Sequence, residues 1–112
     1  MTTSIWTRLV GQDAVASELS HAVVDAGRIR HGEHGPAMTH AWLITGPPGS
    51  GRSTAATCFA AALACEQAGC GSCDACRTVP LGAHPDVDVV RTDTLSYKTE
   101  DARDLVMRAT MA

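Results

Sequence analysis

The chain has 112 residues, of which 45% are hydrophobic and only 4% aromatic, and its formal net charge is −3. This length suits one small domain with an aliphatic, alanine-rich core. The charge balance gives no general basic footprint for nucleic acid, and no apolar run is as long as a membrane span. The N-terminus lacks the apolar core of a signal peptide, so we expect a cytoplasmic protein with no membrane contact.

A helix is the first predicted element, over residues 14–26, after a small apolar cluster at 5–10. Gly11-Gln12-Asp13 opens this helix, and its apolar residues recur at helical spacing. Asp25 is placed on the solvent-facing side, and Gly27 is the predicted stop.

Residues 27–38 have neither helical nor strand periodicity and are predicted to form a loop. His31 and His34 lie in this loop without a neighbouring cysteine or further histidine. We therefore expect them to be solvated rather than metal-bound.

A glycine-rich loop follows a predicted strand and precedes a predicted helix. Residues 41–45 form a short apolar run typical of a buried strand, and a helix is predicted over 55–64, starting near Arg52. Between them the spacing of a phosphate-binding loop is met, except that arginine stands at the lysine position. The candidate cofactor-binding residues are Gly46, Gly49, Gly51, Arg52, Ser53 and Thr54.

The chemistry of such a loop explains its residue types. Glycines let backbone N–H groups turn toward phosphate oxygens, and the start of the helix adds the positive end of its dipole. Ser53 is placed to coordinate Mg²⁺ that bridges the phosphates of ATP. Arg52 is longer than lysine, planar and forked, so competent ATP and Mg²⁺ binding is an open question. The alternative is a strand-to-helix turn that binds nothing.

Four cysteines form the second informative pattern, between residues 65 and 76. Two pairs at Cys-x2-Cys spacing match tetrahedral coordination of zinc, and Gly69 and Gly71 allow the tight turns that a zinc knuckle needs. Arg77 is expected to offset part of the negative charge. The candidate zinc ligands are Cys65, Cys70, Cys73 and Cys76.

Other readings of these cysteines are disulfides, free thiols or an iron–sulfur cluster. The fifth cysteine, Cys58, is predicted to be a small apolar residue on the helix. With four protein ligands the zinc site has no open coordination position, so we assign the metal a structural role and no catalytic one.

The rest of the chain contains a predicted turn at 82–86, a second strand at 87–90 parallel to the first, and a last helix capped at 99–101. No apolar run after residue 86 ends in the acidic residue that ATP hydrolysis requires. Two strands alone make a poor sheet. We therefore expect the N-terminal portion of an α/β P-loop nucleotide-binding-type domain with parallel strands, flanking helices and a small zinc knuckle.

The chain resembles bacterial clamp-loader subunits of the AAA+ class. The resemblance is carried by Leu-Val-Gly-Gln at 9–12, by the segment 39–53 and by the four-cysteine insertion. Within that group, Arg52 and Gly-Ala-His-Pro-Asp at 82–86 are similar to the delta-prime subunit of DNA polymerase III, in its actinobacterial form. The gamma/tau subunit is the nearest alternative, and it is expected to keep lysine at position 52.

This resemblance implies that residues 1–112 form the N-terminal part of an AAA+ domain, with a zinc-binding insertion at about 65–80. The remainder of that domain and the collar domain would follow residue 112. The implied role is to help load the sliding clamp onto primed DNA. The implied partners are the gamma/tau and delta subunits and, through the complex, the clamp and primer-template DNA.

Delta-prime subunits act largely as a rigid stator and commonly lack a working nucleotide site. The resemblance therefore implies a component of the DNA polymerase III holoenzyme that is not catalytic by itself. Two alternatives stay open: an ATP-binding gamma/tau-type ATPase in which Arg52 still contacts the phosphates, and a zinc-stabilised interaction module. Arg52 together with the missing acidic strand favours the degenerate ATP site.

Overall fold

The computed structural model describes residues 4–47 and 49–90. Its elements are a 3-10 helix (Ile5–Arg8) and three α-helices, α1 (Asp13–Arg30), α2 (Arg52–Ala64) and α3 (Asp74–Thr78). None of these helices is long and apolar enough to cross a membrane. The predicted last helix and its cap at 99–101 lie outside the described residues.

Helix α2 is the centre of the packing, since it contacts α1, α3 and the 3-10 helix. Its sequence is apolar on nearly all sides, which is typical of a helix surrounded by other elements. Many alanines let the neighbours approach closely, and Ala61 and Ala62 are fully buried. Ile5 of the 3-10 helix is only 1% exposed and belongs to the same core.

Helix α1 continues past Gly27, which was predicted to end it, and stops at Arg30. The stop is made by Gly32, whose φ is +79°. The N–H of Gly32 donates to the carbonyl of Ile29, and the N–H of Glu33 donates to that of Arg28, at 3.0 and 2.9 Å. This pattern is the Schellman motif, which needs a left-handed residue after the helix. Gly27 was therefore the wrong glycine.

Asp25 is buried, contrary to the prediction of a solvent-facing residue, and retains only 8% exposure. Its carboxylate accepts a 2.7 Å hydrogen bond from the backbone N–H of Ala37 and lies 3.5 Å from the Arg28 guanidinium. The loop after α1 folds back over this residue, and a Cβ on Gly35 would stand 2.5 Å from the Asp25 carbonyl oxygen. Asp25 therefore fixes the course of the loop.

Asp25→Ala is expected to destabilise the protein by about 1–3 kcal/mol, because the N–H of Ala37 loses a charged acceptor in a partly buried place. Urea denaturation followed by circular dichroism measures this loss. Glu18→Ala, an exposed position on the same helix, is the matched control and should change stability by less than about 0.5 kcal/mol. Equal effects of the two substitutions would contradict the assigned role of Asp25.

The two predicted strands are not strands within the described part of the chain. Residues 41–45 do alternate: Trp42 and Ile44 pack against the core, whereas Leu43 is 88% exposed. However, a strand is stabilised by a ladder of backbone hydrogen bonds, and no such bond joins 41–45 to 87–90 among the described residues. The described architecture is helical, and the expected parallel α/β sheet is not confirmed.

Candidate functional site

Helix α2 joins the two candidate sites, because the glycine-rich loop precedes its first residue and Cys65 caps its end. A helix of 13 residues spans roughly 20 Å, so the sites lie at opposite ends of one rigid rod. The start and the end of this helix agree with the sequence prediction.

The four predicted zinc ligands come together in the structure. The sulfur atoms of Cys65, Cys70, Cys73 and Cys76 all lie within 4.8 Å of one another. Cys65 Sγ is 3.7 Å from Cys70 Sγ and 3.5 Å from Cys73 Sγ. A tetrahedral zinc site with Zn–S bonds of about 2.3 Å requires S···S separations of about 3.8 Å. The cluster therefore has the dimensions to hold a metal ion.

Backbone N–H groups surround the cluster and point at its sulfur atoms, at 3.2–3.5 Å. The donors are Gln67 and Cys70 for Cys65, Cys73 for Cys70, Cys76 for Cys73 and Gly71 for Cys76. Cys73 is also the N-cap of α3, a short helix that the sequence did not predict. Because thiolates accept such bonds more strongly than thiols, this arrangement favours the charged, metal-binding form.

The thiols differ in their acidity. The N–H groups of Ser72 and Cys73 lower the pKa of Cys70 to about 6. Burial raises the pKa of Cys65, but hydrogen bonds led by that of the Cys70 N–H outweigh it and lower the pKa overall. Burial raises the pKa of Cys76 to about 12. A bound cation would favour the thiolate form of Cys76, which burial disfavours.

Arg77 and Cys58 are two residues that the sequence analysis discussed beside the four ligands. Arg77 pairs with the Asp74 carboxylate one turn earlier. Cys58 is 1% exposed and donates a 3.5 Å hydrogen bond to the carbonyl of Ile5, in agreement with its predicted place in the core. Burial raises the pKa of the Cys58 thiol.

The glycine-rich loop begins α2 through Gly51, whose φ of +89° lies in the left-handed region. Gly46, Gly49, Arg52, Ser53 and Thr54 are exposed, and Gly51 is half-buried. Gly46, Gly51 and Arg52 line one pocket of about 180 Å³, whereas Ser53 lines a second pocket of about 320 Å³ with residues 87–90. The structure therefore brings only part of the predicted phosphate site together.

The first pocket is small for a nucleoside triphosphate, since ligand pockets usually measure about 300–1,000 Å³. The Ser50 hydroxyl occupies the interior of the loop, where it is buried and has no hydrogen-bond partner among the described residues. It would stand 2.6 Å from a Cβ on Gly46, so the loop is closed around its own side chain.

Gln12 is a loop contact that the sequence analysis missed. Its side-chain N–H donates to the carbonyl of Ser50 at 3.2 Å, across 38 residues of sequence. Gln12 stands at the N-cap of α1 but makes no capping bond there. The sequence signal for this contact was a glutamine at the N-cap, where serine, threonine or aspartate is usual.

The chain is similar to subunits of one bacterial assembly. The profile of the family described as DNA polymerase III, delta subunit matches residues 28–112. The DNA polymerase III subunit gamma/tau of Mycobacterium tuberculosis is 36% identical over 109 residues, which cover 93% of this chain and 17% of that protein. The DNA polymerase III subunit delta' of Pseudomonas aeruginosa is 34% identical over 86 residues, covering 71% and 24%. No solved structure matches the chain significantly.

A third relative, the DNA polymerase III subunit tau of Escherichia coli, is 35% identical over 103 residues, which cover 88% of this chain and 14% of that protein. The chain spans less than a quarter of the length of each of these relatives, 17%, 24% and 14%. Relatives named gamma/tau and delta' are similar to it to nearly the same degree, so identity does not distinguish the two subunit types.

Proposed function

Because the chain belongs to the DNA polymerase III, delta subunit family of clamp-loader proteins, we propose that it is part of a delta-prime-type subunit with a degenerate ATP site. The observation that carries the proposal is Arg52, at the position where a phosphate-binding loop has lysine. A planar guanidinium does not replace a compact ammonium between two phosphates. The small size of the pocket beside Arg52, about 180 Å³, supports the same conclusion.

We propose that Cys65, Cys70, Cys73 and Cys76 hold a structural Zn²⁺. The S···S distances and the ring of N–H donors support zinc, and four thiolates leave no position for substrate. The ion would supply two positive charges that keep the thiolates together in a segment with a small core. Its part in the protein is to stabilise this knuckle.

We propose that residues 1–112 form part of an AAA+ domain with its zinc insertion at about 65–80. In this proposal the partners are the gamma/tau and delta subunits, and contact with the sliding clamp and primer-template DNA is made through the whole complex. The similarity to subunits gamma/tau, delta' and tau of DNA polymerase III supports membership of that assembly.

ATP titration by calorimetry tests the degenerate site. The natural chain is expected to give no binding heat in the presence of Mg²⁺, whereas Arg52→Lys restores the charge that the loop usually carries and should bind. Arg30→Lys, the same exchange at an exposed residue outside the loop, is the control and should stay silent. Circular dichroism verifies that all three proteins are folded. Mg²⁺-dependent ATP binding by the natural chain would overturn the proposal.

A gamma/tau-type ATPase is the second candidate function. Ser53 and Asp88 line the same 320 Å³ pocket, and hydroxyl and carboxylate oxygens are ligands that Mg²⁺ prefers. The gamma/tau relative also covers more of the chain than the delta' relative, 93% against 71%. In the same titration this candidate requires binding by the natural chain, and Asp88→Asn should then weaken its Mg²⁺ dependence.

A further inference from the structure

The 3-10 helix is a physical link between the cysteine cluster and the rest of the domain. The N–H of Ile5 donates to the carbonyl of Gly69, between the first two cysteines of the cluster, at 2.9 Å. Gly69 is packed so closely that a Cβ there would stand 2.7 Å from Ile5 Cγ2. The Ile5 carbonyl in turn accepts the Cys58 thiol of α2. The knuckle and the 3-10 helix are therefore in direct contact at Gly69 and Ile5.

The N-terminal segment, residues 5–12, contacts the phosphate loop through its last residues. Leu9, which is 5% exposed, and Gln12 line the pocket together with the loop. Gln12 donates its 3.2 Å hydrogen bond to the Ser50 carbonyl. This bond is the one side-chain hydrogen bond that joins the N-terminal segment to the loop in the described part of the chain. The position of Ser50 therefore depends on where Gln12 is held.

The knuckle contains little regular secondary structure. Helix α3 has five residues, too few to be stable in isolation, and Ala68 adopts a positive φ of 58° that costs energy for a residue with a side chain. Apart from the packing of Ala75, Cys76 and Val79 in the core, the cysteine cluster is the main feature that joins the two ends of this segment.

We propose that Gln12 is a positioning residue for the phosphate loop, and that metal binding at the four cysteines sets Gln12 through the Gly69–Ile5 contact. The inference rests on the proposed zinc site. It couples the two ends of α2 by a path outside that helix. By linkage, zinc and the Gln12–Ser50 bond then stabilise each other by the same factor.

The first measurement is amide hydrogen exchange of Ser50, whose N–H is bonded to the Pro47 carbonyl, in the full chain with and without zinc. Zinc content is determined beforehand by atomic absorption. Removal of zinc is expected to accelerate Ser50 exchange between about twofold and tenfold, the range for loss of one ordinary hydrogen bond. Val23 in α1, which is 3% exposed, reports global unfolding, and the expected acceleration is the part of the Ser50 change that exceeds the change at Val23.

Gln12→Met keeps the length of the side chain and removes its N–H donor. With zinc bound, this variant is expected to show fast Ser50 exchange, and zinc removal should then add little. Glu18→Met, which places the same new side chain at an exposed residue of α1, should behave as the natural chain. Ser50 exchange that follows zinc equally in the natural chain and in Gln12→Met would overturn the proposal.

The reciprocal measurement decides the matter if the zinc-free chain unfolds. Gln12→Met should lower zinc affinity, measured by competition with a chelator, by the same factor of about two to ten. A zinc affinity equal to that of the natural chain would overturn the inference and leave the zinc site intact. A natural chain that binds no zinc would instead overturn the proposed zinc site, and this inference with it.

Discussion

Cys73→Ser is expected to reduce bound zinc from one ion per chain to a small fraction and to unfold the knuckle. Cys73 has two structural roles, as a member of the sulfur cluster and as the N-cap of α3. Zinc binding by thiolates contributes roughly 10–16 kcal/mol in peptides that fold around the metal, so loss of one ligand should cost several kcal/mol. Atomic absorption after dialysis measures the metal, and amide exchange over residues 65–82 measures the loosening.

Cys58→Ser is the matched control, because it makes the same chemical change at a cysteine outside the cluster. It should retain one zinc ion, although the buried position allows some loss of stability. Unchanged zinc content in Cys73→Ser would refute the assignment. Removal of zinc from the natural chain with a chelator should loosen residues 65–82 in the same way without any substitution.

Gly69→Ala is expected to lower the free energy of unfolding by about 2–5 kcal/mol. The residue has a φ of +104°, which residues with a side chain rarely adopt. In addition, the new methyl group would meet Ile5 Cγ2 at 2.7 Å and the Ala62 methyl at 3.3 Å. Denaturation in urea, in the presence of zinc, measures the combined effect.

Gly11→Ala separates the two causes, because Gly11 has a φ of +76° but nothing within 4 Å of a Cβ. It should cost only the backbone strain, about 1–2 kcal/mol. The excess in Gly69→Ala is then the steric part. If both substitutions have the same effect, the close contact between the knuckle and the 3-10 helix is not present in solution.

Local patterns were sufficient for both ends of α2 and for the sulfur cluster. The start of α2 at Arg52 follows from a glycine followed by residues suited to a helix, and its end follows from the first clustered cysteine. The Cys-x2-Cys spacing predicted a compact sulfur cluster, since the residues that bring the thiols together are neighbours in sequence. His31 and His34 are exposed, as their polar loop indicated.

The errors concern contacts between residues distant in sequence. The 41–45 run has strand-like alternation, but alternation cannot supply the ladder partner that makes a strand. Asp25 was predicted to face solvent because charged residues usually do, and its burial depends on the backbone of Ala37, 12 residues later.

The sequence by itself determined the family of this protein, the helix that joins its two candidate sites, and the four cysteines whose sulfur atoms come together. Each of these depends on spacing within a few turns of chain. Only the tertiary structure decided that Gln12 holds the loop at Ser50 and that Gly69 contacts Ile5, across 38 and 64 residues. Such contacts form because α2 gathers the N-terminal segment and the knuckle around one core, and no local pattern encodes that arrangement.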